Sequence, residues 1–224
     1  MSGNFKDGVD AAVASGPHGD SGFWFFRGDK ACKTNPGGDG LSYPVDSITA
    51  NDNYWPALRG TTFEHGPIDA AVWSGSGFWF FQDDKCVKTD NGGTEIKVPV
   101  SDIDADGNWP GLKGTIFATG VDAAVESGDG GRSGFWFFRG DQALKTDPDG
   151  NRAVGPAEIT AVECWPALDD SRFANGPINA AVWSGSGFWF FQGNQCIKTD
   201  PSGNHRLVQV TDIIASGNWP ALDT

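Results

Sequence analysis

The sequence predicts an all-β fold, a four-bladed β-propeller that occupies residues 1–224 as one domain. Three observations lead to this prediction. The block Gly-Phe-Trp-Phe-Phe occurs four times. Before each copy stands Asp or Asn followed by Ala-Ala-Val, and each repeat closes with Trp-Pro. A repeat of about 55 residues is long enough for the several strands of a propeller blade. The repeats place the blades at approximately 5–58, 63–112, 117–168 and 173–222.

Each repeat contains short apolar runs separated by turns. In the second repeat these runs predict strands at 68–72, 78–81, 85–89 and 96–100. The aromatic strand is apolar without alternation, which indicates that both of its faces are covered, as in a blade packed between two others. Small Ala-Ala strands are expected to line the axis, where larger side chains would collide. Residues 102–112 are expected to form a short helical turn that closes the blade and is ended by its proline.

Composition narrows the possible partners. With 38% hydrophobic residues among 224, the chain can bury a substantial core. A formal net charge of -13 argues against nucleic acid and anionic membrane surfaces as partners. It favours metal ions and polyamines, although the same charge is typical of abundant proteins with acidic surfaces. No apolar run reaches membrane-spanning length, and no signal peptide is visible at the N-terminus. A cytoplasmic or vacuolar storage location is therefore expected.

The four cysteines are predicted to be free and buried. When the repeats are aligned, Cys32 occupies an apolar position, and Cys86 and Cys196 replace alanines of the other repeats. Cys164 stands alone before a closing tryptophan, and no Cys-x-x-Cys pair occurs.

The repeats contain Phe-x-x-Gly-x-(Ile/Val)-Asp-Ala-Ala, an aromatic strand before Gly-Asp, and a closing Trp-Pro-x-Leu. In these features the chain resembles the hemopexin-like repeat family, and in length and layout the single-domain albumin-2 proteins of legume seeds. The resemblance covers all four repeats and implies a four-bladed hemopexin-like propeller. It is less specific for function, because this fold hosts haem carriage, protease exosites, polyamine binding and hemagglutination. A homodimer is a further expectation from the resemblance.

The resemblance also implies ions stacked along the central channel and held by main-chain carbonyls. Ca²⁺ or Na⁺ suits such oxygens, and inward N–H groups would suit chloride. The alternative is that the acidic side chains brace neighbouring strands and the channel holds water. Carried over to this sequence, the expected ligands are Asp10, Asp69, Asp122 and Asn179, followed by Ala12, Ala71, Ala124 and Ala181.

Trp73 and Trp183 are candidates for exposure, because the other two repeats have Ala and Glu at that position. Repeats two and four share one short turn, whereas one and three carry longer turns. A tryptophan beside these polar turns would suit a sugar, whose apolar face stacks on indole. The alternative is that both tryptophans cover the next blade. The turn residues expected to take part are His18, Asp20, Asp129 and Arg132.

The remaining motifs are weaker. The segments 104–108 and 147–151 are similar to calcium loops but lack the glycine needed at the sixth position, so ordinary turns explain them. His18, His65 and His205 occupy unlike positions and do not predict a pair of axial haem ligands. No enzyme motif occurs. The leading hypothesis is a non-enzymatic, carbohydrate-binding, lectin-type protein. Haem or polyamine binding, and storage without a specific ligand, remain open alternatives.

Overall fold

The structure, a computed structural model, describes residues 4–224. Within that range the chain forms sixteen strands and ten short 3₁₀ helices. The strands β1 to β16 span Ala11–Ala14, Phe23–Arg27, Lys30–Thr34, Leu41–Ser47, Ala70–Trp73, Phe78–Gln82, Lys85–Thr89, Ile96–Asp102, Ala123–Glu126, Phe135–Arg139, Gln142–Thr146, Ala153–Glu158, Ala180–Trp183, Phe188–Gln192, Gln195–Thr199 and Arg206–Asp212. The helices span Phe5–Asp7, Pro17–Gly19, Pro56–Leu58, Thr62–His65, Pro110–Leu112, Ile116–Thr119, Asp129–Gly131, Pro166–Leu168, Arg172–Asn175 and Pro220–Leu222. Over residues 4–224, no helix has the length and apolar character needed to cross a bilayer.

The strands form four antiparallel sheets of four consecutive strands each, β1–β4, β5–β8, β9–β12 and β13–β16. We call these sheets blades 1 to 4. The first strands β1, β5, β9 and β13 contact one another in cyclic order, so the blades surround a common axis. The prediction of an all-β, four-bladed propeller is confirmed.

The second strand of each blade carries the aromatic block, and in β2 this block packs in the clusters on both sides of the blade. In β2, Trp24 is 4% exposed and Phe25 is fully buried, so both faces of the strand are covered. One phenylalanine from each blade meets its neighbour edge to face, with ring centroids 5.6 to 5.7 Å apart at all four interfaces. This geometry is favourable for aromatic pairs. The core therefore lies between the blades.

The element boundaries of the second repeat differ slightly from the prediction. Strand β5 begins at Ala70 rather than at residue 68, and β8 extends to Asp102. The Trp-Pro segment differs in a more informative way. Pro110 begins a 3₁₀ helix and does not end one. Proline is well suited to the first helical position, because its fixed φ is already helical and its missing N–H would have no partner there.

Each closing helix also ties its blade to the next one. The N–H of Ala57 donates to the carbonyl of Gly93 in blade 2, at 3.1 Å. Equivalent bonds join blades 2 to 3 and 3 to 4. The fourth closes the ring, from Ala221 to Gly38, at 3.2 Å. The N-terminal helix adds to this closure, because Phe5 is buried in one cluster with Trp219 and Leu222.

All four cysteines are free and buried, as expected. Cys32 lies opposite Phe25, whereas Cys86 and Cys196 lie opposite Phe81 and Phe191, one position further along the aromatic strand. Burial raises the pKa of the Cys32 thiol to about 12, so this side chain is a neutral core group at physiological pH.

Gly93 provides a test of the contact between blades. Its φ is +67°, and an added Cβ would lie 2.6 Å from an indole carbon of Trp55. We expect Gly93→Ala to lower the free energy of unfolding by about 2–5 kcal/mol, since left-handed strain and overpacking add. Gly60→Ala is the matched control, with φ of +75° and open space around the new methyl group, so it carries the strain alone. Urea denaturation measures both. Equal losses would contradict the proposed steric role.

Candidate functional site

The central channel is walled by main-chain groups of the four first strands. Each of these strands is hydrogen-bonded on one side only, because it forms the inner edge of its sheet. The N–H of Ser15, directly after β1, donates to the carbonyl of Gly22 in blade 1 at 2.9 Å. Hydrogen-bonding direction alternates along a strand, so the main-chain groups of Ala12 point to the axis. The same alternation turns the main chain of Ala71, Ala124 and Ala181 toward the axis.

One mouth of the channel is formed by Asp10, Asp69, Asp122 and Asn179, and we call it the acidic mouth. In each residue a side-chain oxygen accepts the main-chain N–H of the turn between the second and third strands. The distances are 2.7 Å from Gly28, Asp83 and Gly140, and 2.9 Å from Gly193. These side chains therefore brace their blades, and an amide serves this purpose as well as a carboxylate does.

A cavity of about 480 Å³ opens at the acidic mouth. Asp83 adds another carboxylate to its wall, and Arg139 adds a guanidinium group. Arg139 is committed to the neighbouring loop, because it donates to the hydroxyl of Thr119 at 2.6 Å and to the carbonyl of Ile116. The cavity therefore combines four carboxylates with one cation that is already engaged.

The carboxylates at this mouth repel one another. The pKa of Asp69 is raised by burial, and the charges of Asp83, Asp122 and Asp10 raise it further, although the hydrogen bond from the Asp83 N–H acts in the opposite direction. A bound cation would relieve this repulsion.

The residues present fit a hard cation. Among residues 4–224, no group of three His, Cys, Asp or Glu side chains is placed to hold a metal ion. Direct ligands would thus be main-chain carbonyls, with the carboxylates supplying negative charge around them. Such oxygen ligands suit Ca²⁺ or Na⁺.

The opposite mouth is covered by the turns after β1 and β9, which cross the axis and meet. Nδ1 of His18 in blade 1 lies 2.9 Å from a carboxylate oxygen of Asp129 in blade 3. The same Nδ1 accepts the indole N–H of Trp183 at 3.1 Å. One ring nitrogen cannot serve both partners at once, because it accepts only when it carries no proton. The tautomer with its hydrogen on Nδ1 would donate to Asp129, and the tautomer with its hydrogen on Nε2 accepts from Trp183.

Trp73 and Trp183 are not exposed, which corrects the expectation from sequence. They are 8% and 7% accessible. The long turns of the neighbouring blades cover them: an indole carbon of Trp73 lies 3.5 Å from where a Cβ on Gly130 would be, and Trp183 contacts His18. The indole N–H of Trp73 donates to the side-chain oxygen of Asn91 at 3.0 Å. Neither indole presents a free face for a sugar.

The other predicted rim residues do not assemble into two equivalent sites. Asp129 and His18 meet each other, whereas Asp20 and Arg132 lie exposed at the ends of the two long turns. Asp147 in the loop similar to a calcium site accepts the N–H of Asn151 at 2.7 Å, which is ordinary turn geometry.

Glu126 was not singled out for a role by the sequence, although it occupies the position of Trp73 and Trp183. It is 1% exposed, and its Oε1 has no hydrogen-bond partner among the described residues. Burial raises the pKa of this carboxyl to about 8, and the nearby Asp129 raises it as well. Glu126 is therefore mostly protonated at neutral pH.

Two equivalent pockets between blades were also not predicted. One lies between blades 2 and 3 and the other between blades 4 and 1, with volumes of about 290 and 210 Å³. Both are lined by two indoles, two serines, an asparagine and a lysine. The lysine stands 5.4 or 5.3 Å from the centre of the tryptophan ring on the second strand. The serines, the asparagine and the lysine converge on each pocket, whereas its indoles are 2–6% exposed, so the accessible lining is mostly polar. The shared lining residues are Ser74, Ser76, Trp79, Lys88, Asn108 and Trp109 in the first pocket, and Ser184, Ser186, Trp189, Lys198, Asn218 and Trp219 in the second.

Four antiparallel sheets around a main-chain channel define a four-bladed propeller of the hemopexin fold. Comparison of sequences then identifies a relative: the chain is 31% identical to albumin-2 of Lathyrus sativus over 121 residues, which cover 52% of this chain and 51% of that protein. The match thus spans about half the length of the relative. The expected resemblance to the hemopexin-like and albumin-2 proteins is confirmed. No protein-family model matches the chain.

Solved structures support the same fold over nearly the whole chain. A 2S albumin seed protein from Dolichos has a TM-score of 0.81 at 24% identity, covering 96% of this chain and 97% of that one. A hemopexin-fold protein from cow pea has a TM-score of 0.79 at 23% identity, covering 96% of each chain. A plant lectin with two metal-binding sites from Cicer arietinum also has a TM-score of 0.79, at 24% identity and 96% coverage of each chain. At these identities the likeness shows the fold.

The buried Glu126 predicts a pH dependence of stability. Its folded pKa of about 8 exceeds the reference value of 4.5, so its contribution is fully present below pH 4.5 and is lost as pH rises through about 8. The loss is on the order of a few kcal/mol, at about 1.4 kcal/mol per pKa unit. We expect Glu126→Gln to flatten the decline of the unfolding free energy between pH 5 and 9, measured by urea denaturation. The exposed control Glu95→Gln should leave the decline intact. If the unfolding free energy of wild type and of Glu126→Gln fell in parallel with pH, Glu126 would not be protonated in the folded protein as predicted.

Proposed function

We propose that this chain is a non-enzymatic ligand-binding propeller of lectin type, with a structural cation in its central channel and carbohydrate as its ligand. The observation that carries the proposal is the pair of equivalent pockets between blades, on each of which two serines, an asparagine and a lysine converge. The cation rests on the acidic mouth and on the inward main-chain groups behind it.

Carbohydrate fits these pockets because several polar groups converge on them. Sugars offer a ring of hydroxyls, and therefore suit a site with donors and acceptors close together. The pocket between blades 4 and 1 supplies Ser186, Lys198 and Asn218, beside Trp189 and Trp219, which are 6% and 3% exposed. That the similar protein from Cicer arietinum is a plant lectin agrees with this proposal.

Polyamine binding is the second candidate, and one observation favours it. The cavity at the acidic mouth carries Asp10, Asp69, Asp83 and Asp122, a concentration of carboxylates that would attract a polycation. Haem lacks such support, because His18 is engaged in the covered mouth and His65 and His205 lie on separate segments. A storage role requires no site, and the similarity to seed albumins is its support.

A thermal-shift experiment tests the channel cation. Ca²⁺ at about 100 times its Kd adds about 2.7 kcal/mol to the free energy of unfolding. For a chain of this length we expect the Tm to rise by roughly 5–10 °C, and chelator to reverse the rise. Asp69→Asn should weaken the response, because it removes a ring charge and keeps the brace that Asn179 already makes in blade 4.

Asp52→Asn is the control, since it removes the same charge from a side chain that is 89% exposed. A Tm that changes neither with Ca²⁺ nor with chelator would rule out the structural cation. A rise with spermine that Ca²⁺ abolishes would instead assign the acidic mouth to polyamines.

Filling the pockets tests the carbohydrate proposal. Monosaccharides that bind should quench tryptophan fluorescence and inhibit any hemagglutination by this protein. The double variant Ser76→Phe, Ser186→Phe should reduce both effects at least 10-fold, because the new rings occupy the pockets. Ser202→Phe adds the same ring on an exposed turn and should change neither effect. Sugar binding that survives in the double variant would exclude these pockets.

A further inference from the structure

The outermost strand of each blade is a free edge of its sheet, and blade 4 differs from the other blades along this edge. The outer strands β4, β8, β12 and β16 each pair with a neighbour on one side only. Three of them contain a proline, namely Pro44, Pro99 and Pro156. In β16, Gln209 stands at the position of Pro44 and Pro99. Proline has no N–H to donate and protects an edge from pairing with another strand, so β16 lacks this protection.

The residues of β16 suit pairing with a further strand. Between Arg206 and Asp212 the strand reads Leu-Val-Gln-Val-Thr, with no glycine and a net charge of zero. Leu207 is 53% exposed, and Gln209 is exposed beside it. Neither residue lies opposite a residue of β15, because the register of the two strands shifts here. Blades 1 and 2 have the same shifts, so the missing proline is what distinguishes β16 from β4 and β8.

A fixed positive charge stands at the start of β16. Nε of Arg206 donates to the carbonyl of Ala167 at 2.6 Å, and an Nη donates to the carbonyl of Asp169. These contacts hold the guanidinium in place. Among residues 4–224, no carboxylate lies within 4 Å of it. A guanidinium has more N–H donors than these contacts use, so Arg206 can still donate to a carboxylate outside its own chain.

A negative charge without a partner stands at the other end of β16. Asp212 is exposed, and no cation of residues 4–224 lies within 4 Å of its carboxylate. The equivalent Asp102 of blade 2 pairs with Lys85, which lies opposite it on the third strand. In blade 4 that position is occupied by Gln195. Asp212 is therefore free to pair with a cation of another molecule.

Two copies of β16 in antiparallel orientation match these charges. If Gln209 lies opposite the partner's Gln209, residue 206 of each strand faces residue 212 of the other. Arg206 then meets the partner's Asp212 at both ends of the strand pair. Opposite charges directly across a strand pair stabilise it, whereas a parallel pair in the same register would place like charges together. The charges of β16 thus favour a second copy of the same strand.

We propose that two copies of this chain associate along β16, so that the two blades 4 form one continuous antiparallel sheet across a twofold axis. Each copy covers the unprotected edge of the other. The proposal specifies an interface that the expected homodimer left undefined, and it holds whatever ligand the propeller binds.

Analytical ultracentrifugation of the full chain tests this interface. We expect a monomer–dimer equilibrium whose Kd rises at least about 10-fold in Gln209→Pro, because the proline removes an edge N–H. Blades 1 and 2 already hold proline at this position, so the variant should keep the fold, which circular dichroism checks.

A charge variant tests the same interface without changing the main chain. Asp212→Lys should also raise the Kd at least about 10-fold, because it places like charges opposite each other. Asp52→Lys is the matched control, since it makes the same change on a side chain of blade 1 that is 89% exposed, and it should leave the Kd unchanged.

Oxidative cross-linking tests the register. In Gln209→Cys the two new thiols lie opposite each other at a Cα separation of about 4.5–5.5 Å, which a disulfide can span. In Leu207→Cys they are offset by roughly 14 Å along the strands, which a disulfide cannot span. We expect linked dimers from Gln209→Cys alone. The four native cysteines are buried, and the wild type controls for them.

Three results would overturn the proposal. The first is a monomer at every concentration from about 1 to 100 μM. The second is a dimer whose Kd changes in neither Gln209→Pro nor Asp212→Lys, since another surface would then form it. The third is a failure of Gln209→Cys to cross-link in a preparation that sediments as a dimer.

Discussion

The structure depends on the packing of each closing tryptophan between two blades. In every blade the indole after the fourth strand lies edge to face with phenylalanines of the next blade, as Trp55 does with Phe78 and Phe80 at 4.9 and 4.8 Å. A glycine in the following blade gives the indole room, and the Trp-Pro helix adds a main-chain bond to that same glycine. The contact between Trp219 and blade 1 is equivalent to the other three. Blade 4 therefore joins blade 1 in the same way that each other blade joins the next.

Closure in turn determines the chemistry of the axis. Four strands that converge on one axis have room for alanine, so the walls of the channel are main chain and their polarity does not depend on side chains. The side chains that matter stand at the two ends. Asp or Asn at the start of each first strand braces a turn, and the mouth is negatively charged because three of the four braces are Asp.

The repeats made most of the fold predictable, because the aromatic block, the Ala-Ala strand and the Trp-Pro closure each perform one structural task in every blade. The acidic mouth was predictable for the same reason. The predictions that failed were those drawn from positions at which the repeats differ. Trp73 and Trp183 were expected to be exposed because other repeats lack them, but a turn from a neighbouring blade covers each one. The contact of His18 with Asp129 likewise joins residues far apart in sequence, and the repeat pattern cannot predict such a pair.

The twofold pattern among the repeats acquires a physical meaning from this arrangement. The long turns of blades 1 and 3 reach across the axis and cover one mouth, so those blades have no short turn with paired serines. In blades 2 and 4 the short turn keeps a serine beside the lysine over the tryptophan ring, at 2.9 and 2.8 Å, and a pocket remains next to it. In blade 1 the corresponding space is reduced to about 130 Å³, where Tyr43 stacks on Trp24 with ring centroids 5.4 Å apart. One pair of blades therefore closes the channel, while the other pair keeps open the pockets between blades in which we propose that the ligand binds.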